Sequence, residues 1–427
     1  MLAFYGILII GLVLFAIMSK KLSAIVAMIS IPLIIGLIAG IGTQLPEYIT
    51  SGILGIAPIG VMFIFAILFF GILRDAGTFE PFIKMAVQFA KNDPARVAVS
   101  AALIAMLVHL DGSGASTFLI TIPAFIPIFD KLQMKRSTLA CIVALSAGTM
   151  NILPWGGPTI RAASSLDLSL SDLFTPLLIP VLIGLISVLI ISYYMGKKEG
   201  QENKEEVSIS KERENVSTQD ITPLKLTLNI LTIIAAIVVL VGGYWPPYLI
   251  FMVGFVIALI SNFKSIKEQE EQINAHAKEV VLMVGILFAA GCMIGVLKHS
   301  GMIEAMGVSA TSIIPGFIGK HLPVIIGTLA MPLSLLFDPD SFYFGILPVL
   351  AQTTEQFGNP GIEVARAAII GQMTTGFAVS PLTGSTFLLI GLTGIDLGSH
   401  QRKTIPYALL VSIIILITSL IVGAIHL

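Results

Sequence analysis

The chain has 427 residues, of which 56% are hydrophobic and 11% are charged, whereas a soluble domain carries roughly 25% charged residues. Because a soluble core of this length cannot hide so much apolar surface, the solvent for most of the chain must be lipid. The net charge of −1 gives no electrostatic basis for nucleic-acid binding. Cys141 and Cys292 form no CxxC pair, which argues against a disulfide or a zinc site.

Apolar segments of about 20 residues, the length that a bilayer requires, recur along the chain. The first segment, 2–18, follows no basic region and is interpreted as a span rather than a cleaved signal peptide. The predicted fold class is an all-α polytopic membrane protein with about ten full spans. These predicted spans are 2–18, 22–42, 57–74, 137–163, 175–195, 225–243, 246–262, 279–298, 362–396 and 404–425.

Two further apolar stretches, 97–130 and 322–357, are each divided by a polar centre. The first arm, 97–110, would form about 21 Å of helix, which is shorter than a hydrocarbon core about 30 Å thick. The centres read Asp111-Gly-Ser-Gly-Ala-Ser-Thr117 and Asp338-Pro-Asp340. Both stretches are therefore predicted to be re-entrant helical hairpins.

The distribution of Lys and Arg residues predicts the side of the membrane from which each hairpin enters. With the N-terminus outside and both hairpins returning to their own side, nearly all of the 24 Lys and Arg residues are cytoplasmic, as the positive-inside rule requires. The exceptions are Arg161, Lys298, Lys320 and Arg366. Hairpin 97–130 then enters from the cytoplasm and 322–357 from outside, in a bacterial cytoplasmic (inner) membrane. The polar stretch 196–224 is predicted to be a flexible cytoplasmic linker.

The two halves of the chain resemble each other in register. Gly71-Ile-Leu-Arg-Asp-Ala-Gly77 matches Gly295-Val-Leu-Lys-His-Ser-Gly301, and Pro154-Trp-Gly-Gly-Pro-Thr159 matches Pro381-Leu-Thr-Gly-Ser-Thr386. Because matched segments run in opposite directions in this topology, two inverted repeats are predicted, a common plan of secondary transporters. The predicted regions are N-terminal spans 1–56, repeat one 57–195, linker 196–224, spans 225–278 and repeat two 279–427.

Four interrupted segments are predicted to meet at the substrate site: 111–117, 153–159, 338–342 and 380–386. Irregular backbone at membrane depth survives only where it is buried in protein or lines a cavity. Helices that begin after each break direct N–H groups and a positive dipole end inward, which suits a carboxylate. The predicted substrate-binding residues are Ser116, Thr117, Asn151, Gly156, Gly157, Thr159, Arg161, Gly384, Ser385 and Thr386. Asp111, Asp338 and Asp340 are predicted to handle the coupling ion or a metal complex, with no permanent metal site.

Structural roles are the alternative for each of these residues. The three aspartates could cap the hairpins, the hydroxyls could cap helices, and Asn151 could be a packing contact. Arg161 could extend to the membrane surface instead of binding a carboxylate, and His109 is interpreted as a packing residue. The sequence contains no GxxxxGK[ST] and no HExxH motif, so a transporter is predicted rather than an ATP-driven pump or an enzyme.

At these loops the chain resembles the citrate–metal–proton symporter family, CitMHS, of the ion transporter superfamily. The resemblance is carried by Leu110-Asp-Gly-Ser-Gly-Ala-Ser-Thr-Phe118, Met150-Asn-Ile-Leu-Pro-Trp-Gly-Gly-Pro-Thr159, Asp340-Ser-Phe-Tyr-Phe-Gly-Ile-Leu-Pro348 and Ser380-Pro-Leu-Thr-Gly-Ser-Thr-Phe387. It implies import of citrate, complexed with a divalent metal such as Mg²⁺ or Ca²⁺, by proton symport and without a resident cofactor. It also implies an elevator-type motion and a homodimer.

Two positions depart from this resemblance. The family members that look most similar have a second acidic residue two positions after Asp111, where this chain has Ser113. The stretch Gln372–Val379 also differs from the usual segment before Ser380-Pro381. Since a missing carboxylate could change the metal, coupling ion or substrate, two alternatives stay open. One is a transporter of another carboxylate coupled to H⁺ or Na⁺, and the other is a cation/proton antiporter.

Overall fold

The computed structural model describes residues 1–90, 93–202 and 221–426, and every regular element in these ranges is helical. The α-helices are α1 (Leu2–Met18), α2 (Ala24–Ile38), α3 (Leu45–Asp75), α4 (Glu80–Ala90), α5 (Pro94–Val108), α6 (Gly114–Lys131), α7 (Arg136–Met150), α8 (Gly157–Leu166), α9 (Leu170–Phe174), α10 (Leu178–Glu202), α11 (Pro223–Val241), α12 (Pro247–Asn262), α13 (Ile266–His299), α14 (Met302–Thr311), α15 (Gly316–Lys320), α16 (Leu322–Leu333), α17 (Leu347–Gln356), α18 (Gly361–Ile370), α19 (Gly384–Thr393) and α20 (Leu397–Ile421). Short 3-10 turns lie at His109–Asp111, Thr175–Leu177 and Phe377–Val379, and π-helical turns at Ser341–Ile346 and Gly371–Thr375.

Six helical segments of the described ranges are long and apolar enough to cross a membrane, by length and composition. They are Leu45–Asp75, Pro94–Asp111, Leu170–Gln201, Pro223–Leu240, Ile266–His299 and Leu397–Ile421. The predicted all-helical class with several apolar spans is therefore confirmed. The predicted spans 2–18, 22–42 and 246–262 correspond to shorter apolar helices. The predicted spans 137–163 and 362–396 are each divided into two helices by the interruptions described below.

Two predicted boundaries were wrong because polar residues extend the helices. Helix α13 begins at Ile266 rather than at 279, where the Ser265 side chain and the Glu268 side chain cap each other's backbone N–H groups. The start of the predicted linker, 196–202, continues α10 as regular helix, and its end enters α11. The rest of that linker, 203–220, lies outside the described residues.

The first predicted hairpin consists of α5, a 3-10 turn and α6. The first arm with its turn covers Pro94–Asp111, 18 residues, which is longer than the predicted arm 97–110 and sufficient by length and composition to cross a membrane. The chain still reverses at the turn, because α5 packs along α6. In the second predicted hairpin, α16 contacts α17. We call 109–115, which includes the start of α6, the first tip, 151–156 the first break, 334–340 the second tip and 371–383 the second break.

Helices α3 and α13 run antiparallel and pack closely through glycine. A Cβ atom added at Gly52 would lie 2.1 Å from the Gly291 carbonyl oxygen, and one added at Gly295 would lie 2.2 Å from the Tyr48 carbonyl oxygen. In lipid, helices associate through such close contacts of small residues rather than through the hydrophobic effect. The α3–α13 pair forms a wall that contacts the first tip and α8.

The glycine contact can be tested with single methyl groups. Gly52→Ala places a Cβ against backbone that cannot move aside, so we expect a loss of about 1–3 kcal/mol and a lower unfolding temperature in detergent. Gly11→Ala in α1 is the control, because no atom lies within 4 Å of its added Cβ. Equal unfolding temperatures for the two variants would contradict the packing role of Gly52.

Candidate functional site

A cavity of about 270 Å³ lies where the two tips and the two breaks meet the α3–α13 wall. The tips contribute Asp111, Gly112, Ser113, Gly114, Ala115 and Pro339, and the breaks with their following helices contribute Asn151, Trp155, Gly157, Pro158, Arg161, Met373, Phe377, Thr383 and Ser385. The wall contributes Phe63, Ala66, Ile67, Glu279 and Met283. All four interrupted segments therefore border one space.

The first tip is folded by a left-handed Gly112 (φ 71°) and by the Asp111 carboxylate. Asp111 Oδ1 accepts the Ser113 backbone N–H at 2.8 Å, and Asp111 Oδ2 lies 3.3 Å from Arg74 Nη1 of α3. Arg74 Nη1 also donates to Ser116 Oγ at 2.5 Å. Arg74 thus ties the tip to the wall, and Ser116 binds this guanidinium beside the cavity rather than lining it.

The Arg74 contact continues through the wall to α13. Arg74 Nε donates to Asp75 Oδ1 at 3.1 Å, and Asp75 Oδ2 lies 3.0 Å from Nε2 of the buried His276. Sequence reasoning could not connect these residues, because His276 is 201 positions from Asp75. The network links the cavity carboxylate Asp111 to both helices of the wall.

His109 and Thr117 share a buried hydrogen bond inside the first hairpin. The Thr117 hydroxyl donates to the Ser113 carbonyl oxygen at 2.9 Å, so Thr117 Oγ1 accepts from His109 Nδ1–H at 2.8 Å. The other ring nitrogen, Nε2, then carries a lone pair and has no partner among the described residues. Thr117 is fully buried and does not line the cavity.

Two side-chain hydrogen bonds join the first break to the second break and to the first tip. Asn151 Nδ2 donates to the Met373 carbonyl oxygen of the second break at 2.9 Å, and Trp155 Nε1 donates to the Leu110 carbonyl oxygen of the first tip at 2.8 Å. Asn151, predicted as a ligand or a packing contact, lines the cavity and also makes this structural bond. Trp155 was not identified from the sequence.

Two predicted site residues shape the first break without lining the cavity. A Cβ at Gly156 would lie 2.1 Å from the Asn151 carbonyl oxygen, so the tight turn requires glycine. The Thr159 hydroxyl donates to the Ile152 carbonyl oxygen at 2.9 Å and pairs a backbone group that the break leaves free. Gly157, the first residue of α8, does line the cavity.

The predicted aspartates of the second tip have different partners. Asp340 Oδ1 accepts from Arg161 Nε at 2.7 Å, and the two side chains are 13% and 10% exposed. Asp338 instead accepts the backbone N–H groups of Asp340 and Ser341 at 3.0 and 3.1 Å and the Ser341 hydroxyl. Asp338 therefore caps the following helical turn, whereas Arg161 lines the cavity with its charge matched by Asp340.

The second break contains a left-handed Met373 (φ 52°), which is uncommon for a residue with a side chain. Ser334 of the second tip holds this strained backbone, because its hydroxyl accepts the Met373 N–H at 2.8 Å and donates to Gln372 Oε1 at 2.8 Å. The Tyr343 hydroxyl donates to the Gln372 carbonyl oxygen at 2.7 Å. The second tip and second break thus form one unit.

The first tip packs closely on the second break. A Cβ at Gly114 would lie 2.5 Å from the Phe377 ring and 3.2 Å from Ser385 Oγ. Ser385 lines the cavity, whereas Thr386 is fully buried and shares a 2.9 Å hydrogen bond with Thr383. Gly384 lies outside the cavity lining, and a Cβ there would meet no atom within 4 Å.

Three helices begin at the cavity: α6 at Gly114, α8 at Gly157 and α19 at Gly384. Their first turns carry N–H groups without an intrahelical partner and the positive end of the helix dipole, which together attract an anion. Asp111 of the first tip and Glu279 of the wall contribute two carboxylates, of which Asp111 is paired with Arg74. The cavity therefore combines anion-binding helix ends with carboxylate oxygens.

Glu279 is the functional candidate that the sequence analysis missed. It was assigned only as the first residue of the predicted span 279–298, but α13 begins at Ile266, so Glu279 lies about 20 Å along the helix. Within the described ranges its carboxylate has no recorded hydrogen-bond or ion-pair partner. A carboxylate at the edge of an apolar run was the available signal. The described residues contain no group of three His, Cys, Asp or Glu side chains that could hold a resident metal ion.

The fold is similar to the folds of two solved membrane proteins. The structure matches the Alcanivorax borkumensis YdaH transporter with a TM-score of 0.66 at 13% sequence identity, over 90% of this chain and 88% of that one. It also matches Neisseria gonorrhoeae MtrF, described as one of a class of antimetabolite efflux pumps, with a TM-score of 0.62 at 13% identity, over 91% and 86%. At this identity the likeness shows the fold alone.

The sequence comparison identifies the family. The CitMHS citrate transporter model matches residues 12–371. A Bacillus subtilis (strain 168) citrate transporter is 39% identical over 429 residues, covering 100% of both chains. A Mg²⁺/citrate complex secondary transporter of the same strain is 35% identical, over 100% of this chain and 99% of its own. The chain belongs to the CitMHS citrate transporter family, and the resemblance noted from its motifs is confirmed.

The different partners of Asp338 and Asp340 predict different outcomes for the same substitution. Asp340→Asn leaves the Arg161 guanidinium without its counter-charge, which costs at least about 1–3 kcal/mol. Asp338→Asn keeps an oxygen for the backbone N–H groups, because asparagine caps helices as well as aspartate does.

We expect Asp340→Asn to lower the unfolding temperature in detergent and Asp338→Asn to leave it near the original value. Thermal unfolding of both purified variants measures this difference. A larger loss for Asp338→Asn than for Asp340→Asn would show that the charge of Asp338, rather than its capping oxygen, is required.

Proposed function

We propose that this protein is a secondary active transporter that imports citrate, as a complex with a divalent metal, by proton symport across the bacterial cytoplasmic membrane. The observation that carries the proposal is the pairing, in one cavity, of three helix N-termini with the carboxylates of Asp111 and Glu279. The names of the two Bacillus subtilis relatives, citrate transporter and Mg²⁺/citrate complex secondary transporter, support the substrate.

Charge favours the metal complex over free citrate. A free tricarboxylate would bring three negative charges next to Glu279, whose charge has no cation beside it in the described ranges, and like charges in a low-dielectric site repel strongly. In a metal complex, the cation can face Asp111 and Glu279 while citrate oxygens face the helix N-termini. Oxygen ligands of this kind suit Mg²⁺ and Ca²⁺. The volume of 270 Å³ is just below the range of about 300–1,000 Å³ typical of drug-sized ligands, which fits a small organic acid.

Proton coupling follows the family resemblance and fits the charge of the proposed substrate. A complex of one divalent metal ion with the citrate trianion carries a net charge of −1, so one accompanying proton would make the transported charge zero. In this scheme Asp111 and Glu279 stay ionised toward the metal.

The finer architecture belongs to the same proposal. We propose two inverted repeats with the N-terminus outside, the segment between α10 and α11 in the cytoplasm, and hairpins 97–130 and 322–357 re-entering from opposite sides. The antiparallel α3–α13 pair, whose ends carry the matched segments 71–77 and 295–301, supports this symmetry. In this scheme the tips and breaks move as a unit along the α3–α13 wall in an elevator-type motion, within a homodimer.

A second candidate is a transporter of another carboxylate coupled to H⁺ or Na⁺. Ser113, which stands where similar family members have an acidic residue, caps α6 by accepting the Ser116 N–H at 3.4 Å and lines the cavity. This leaves one carboxylate fewer on the tip for a metal. A cation/proton antiporter is the weaker alternative, because three helix N-termini at the cavity oppose a bare cation.

Uptake of labelled citrate into liposomes that contain the purified protein tests the proposal. We expect uptake that requires both a divalent metal and an inward proton gradient. Uptake that is indifferent to chelation of the metal would exclude the metal–citrate complex. A panel of other carboxylates, with and without Na⁺, would then identify the second candidate.

Removing the Glu279 charge separates metal recognition from folding. Glu279→Gln should reduce metal–citrate uptake at least about tenfold, equivalent to about 1.4 kcal/mol, and raise the metal concentration needed for half-maximal uptake. Glu304→Gln, at an exposed carboxylate of α14, is the matched control and should transport normally. Normal metal dependence in Glu279→Gln, with intact thermal stability, would remove Glu279 from the site.

A further inference from the structure

A second cavity, about 340 Å³ in volume, lies at one end of helices α7, α10 and α20, which pack against one another. Its polar lining consists of Lys135, Tyr194, Lys198, Glu199, Lys403 and Tyr407. None of these residues borders the cavity between the tips and breaks. We call this second cavity the basic cleft.

Among the described residues that line the basic cleft, the one acidic side chain already has hydrogen-bond and ion-pair partners. Glu199 is 5% exposed and accepts the Thr138 hydroxyl at 2.5 Å and the Lys135 backbone N–H at 3.2 Å, with Lys403 Nζ at 3.4 Å. Lys403 Nζ also contacts the Thr138 hydroxyl. These bonds fix the Lys403 ammonium at the floor of the cleft. Among the described lining residues, Glu199 is already paired with Lys403, and the Lys198 ammonium adds a positive charge to the cleft.

Two exposed apolar stripes lead away from the basic cleft along the helix surfaces. On α10 the stripe consists of Ile179, Leu182, Ile183, Ile186 and Ile190, at intervals of three and four residues that continue to Tyr194. On α20 it consists of Leu410, Ile417 and Ile421, which follow Tyr407 on the same face. From Tyr194 to Ile183 is about 16 Å of helix, roughly half of a hydrocarbon core about 30 Å thick.

We propose that the basic cleft binds the phosphate-bearing headgroup of an anionic phospholipid, with its acyl chains along the two stripes. Lysine ammonium groups bind phosphate as point charges, and tyrosine is enriched where a helix leaves the hydrocarbon core. A soluble anion would account for the lysines but not for the stripes that end at Tyr194 and Tyr407. In the proposed orientation this end of the helices faces the cytoplasm, where anionic lipids concentrate.

Thermal unfolding of the full chain in neutral detergent, titrated with phosphatidylglycerol or phosphatidylcholine, tests this proposal. We expect phosphatidylglycerol to raise the unfolding temperature and phosphatidylcholine to raise it less. Lys198→Glu changes the charge of the cleft by two units at an exposed position, so the protein should still fold. It should weaken phosphatidylglycerol binding roughly 30-fold. Lys267→Glu, at an exposed lysine near the start of α13, is the matched control and should bind normally.

Three outcomes would overturn the lipid site. The first is equal stabilisation of Lys198→Glu and Lys267→Glu by phosphatidylglycerol. The second is that inorganic phosphate alone reproduces the effect, since this would assign the cleft to a soluble anion. The third is crosslinking between two copies of Ile186→Cys, since this would show that a second copy covers the α10 stripe. None of these measurements uses citrate uptake, so they test the lipid site separately from the identity of the transported substrate.

Discussion

Interrupting a helix inside a bilayer frees backbone N–H and carbonyl groups that lipid cannot bind, and the architecture of this protein follows from how those groups are paired. The interruptions bind one another: Asn151 donates to Met373, Trp155 donates to Leu110, and Tyr343 donates to Gln372. Each tip or break therefore supplies partners for another. The cavity forms at their meeting point because the chain has to bring all four together to satisfy them.

The charges at the cavity follow a similar rule. Arg74 holds Asp111 and reaches His276 through Asp75, and Arg161 holds Asp340. A buried charge without a partner is costly, so these pairs are part of what keeps the tips in place. Glu279 differs, because its carboxylate faces the cavity with no recorded partner in the described ranges. That unbalanced charge is the feature most directly suited to a substrate that brings its own cation.

Helix α7 connects the two cavities of the molecule. Its first residues follow Lys135 at the basic cleft, and its last residue, Met150, precedes the first break at the transporter site. Its 15 residues span about 22 Å. A lipid bound in the cleft would thus contact a helix that ends where the proposed substrate binds, while the α3–α13 wall lies on the other side of that site.

The amino-acid sequence alone determined the membrane class, the four interrupted segments and the family. The length of an apolar segment and a break rich in Gly and Pro are local properties of the sequence, so they can be identified without the tertiary structure. Sequence reasoning could also place Asp111, Asn151, Gly157, Arg161 and Ser385 near the site, because they lie within those breaks. It could not separate them from Thr117, Thr159, Thr386 and Asp338, whose polar atoms serve neighbouring groups in the hairpins and helix ends. Arg74, His276 and Glu279 acquire their positions only when α3 and α13 pack antiparallel through glycine. The contact between Asp75 and His276, 201 positions apart, depends on that packing, and tertiary structure alone decided it.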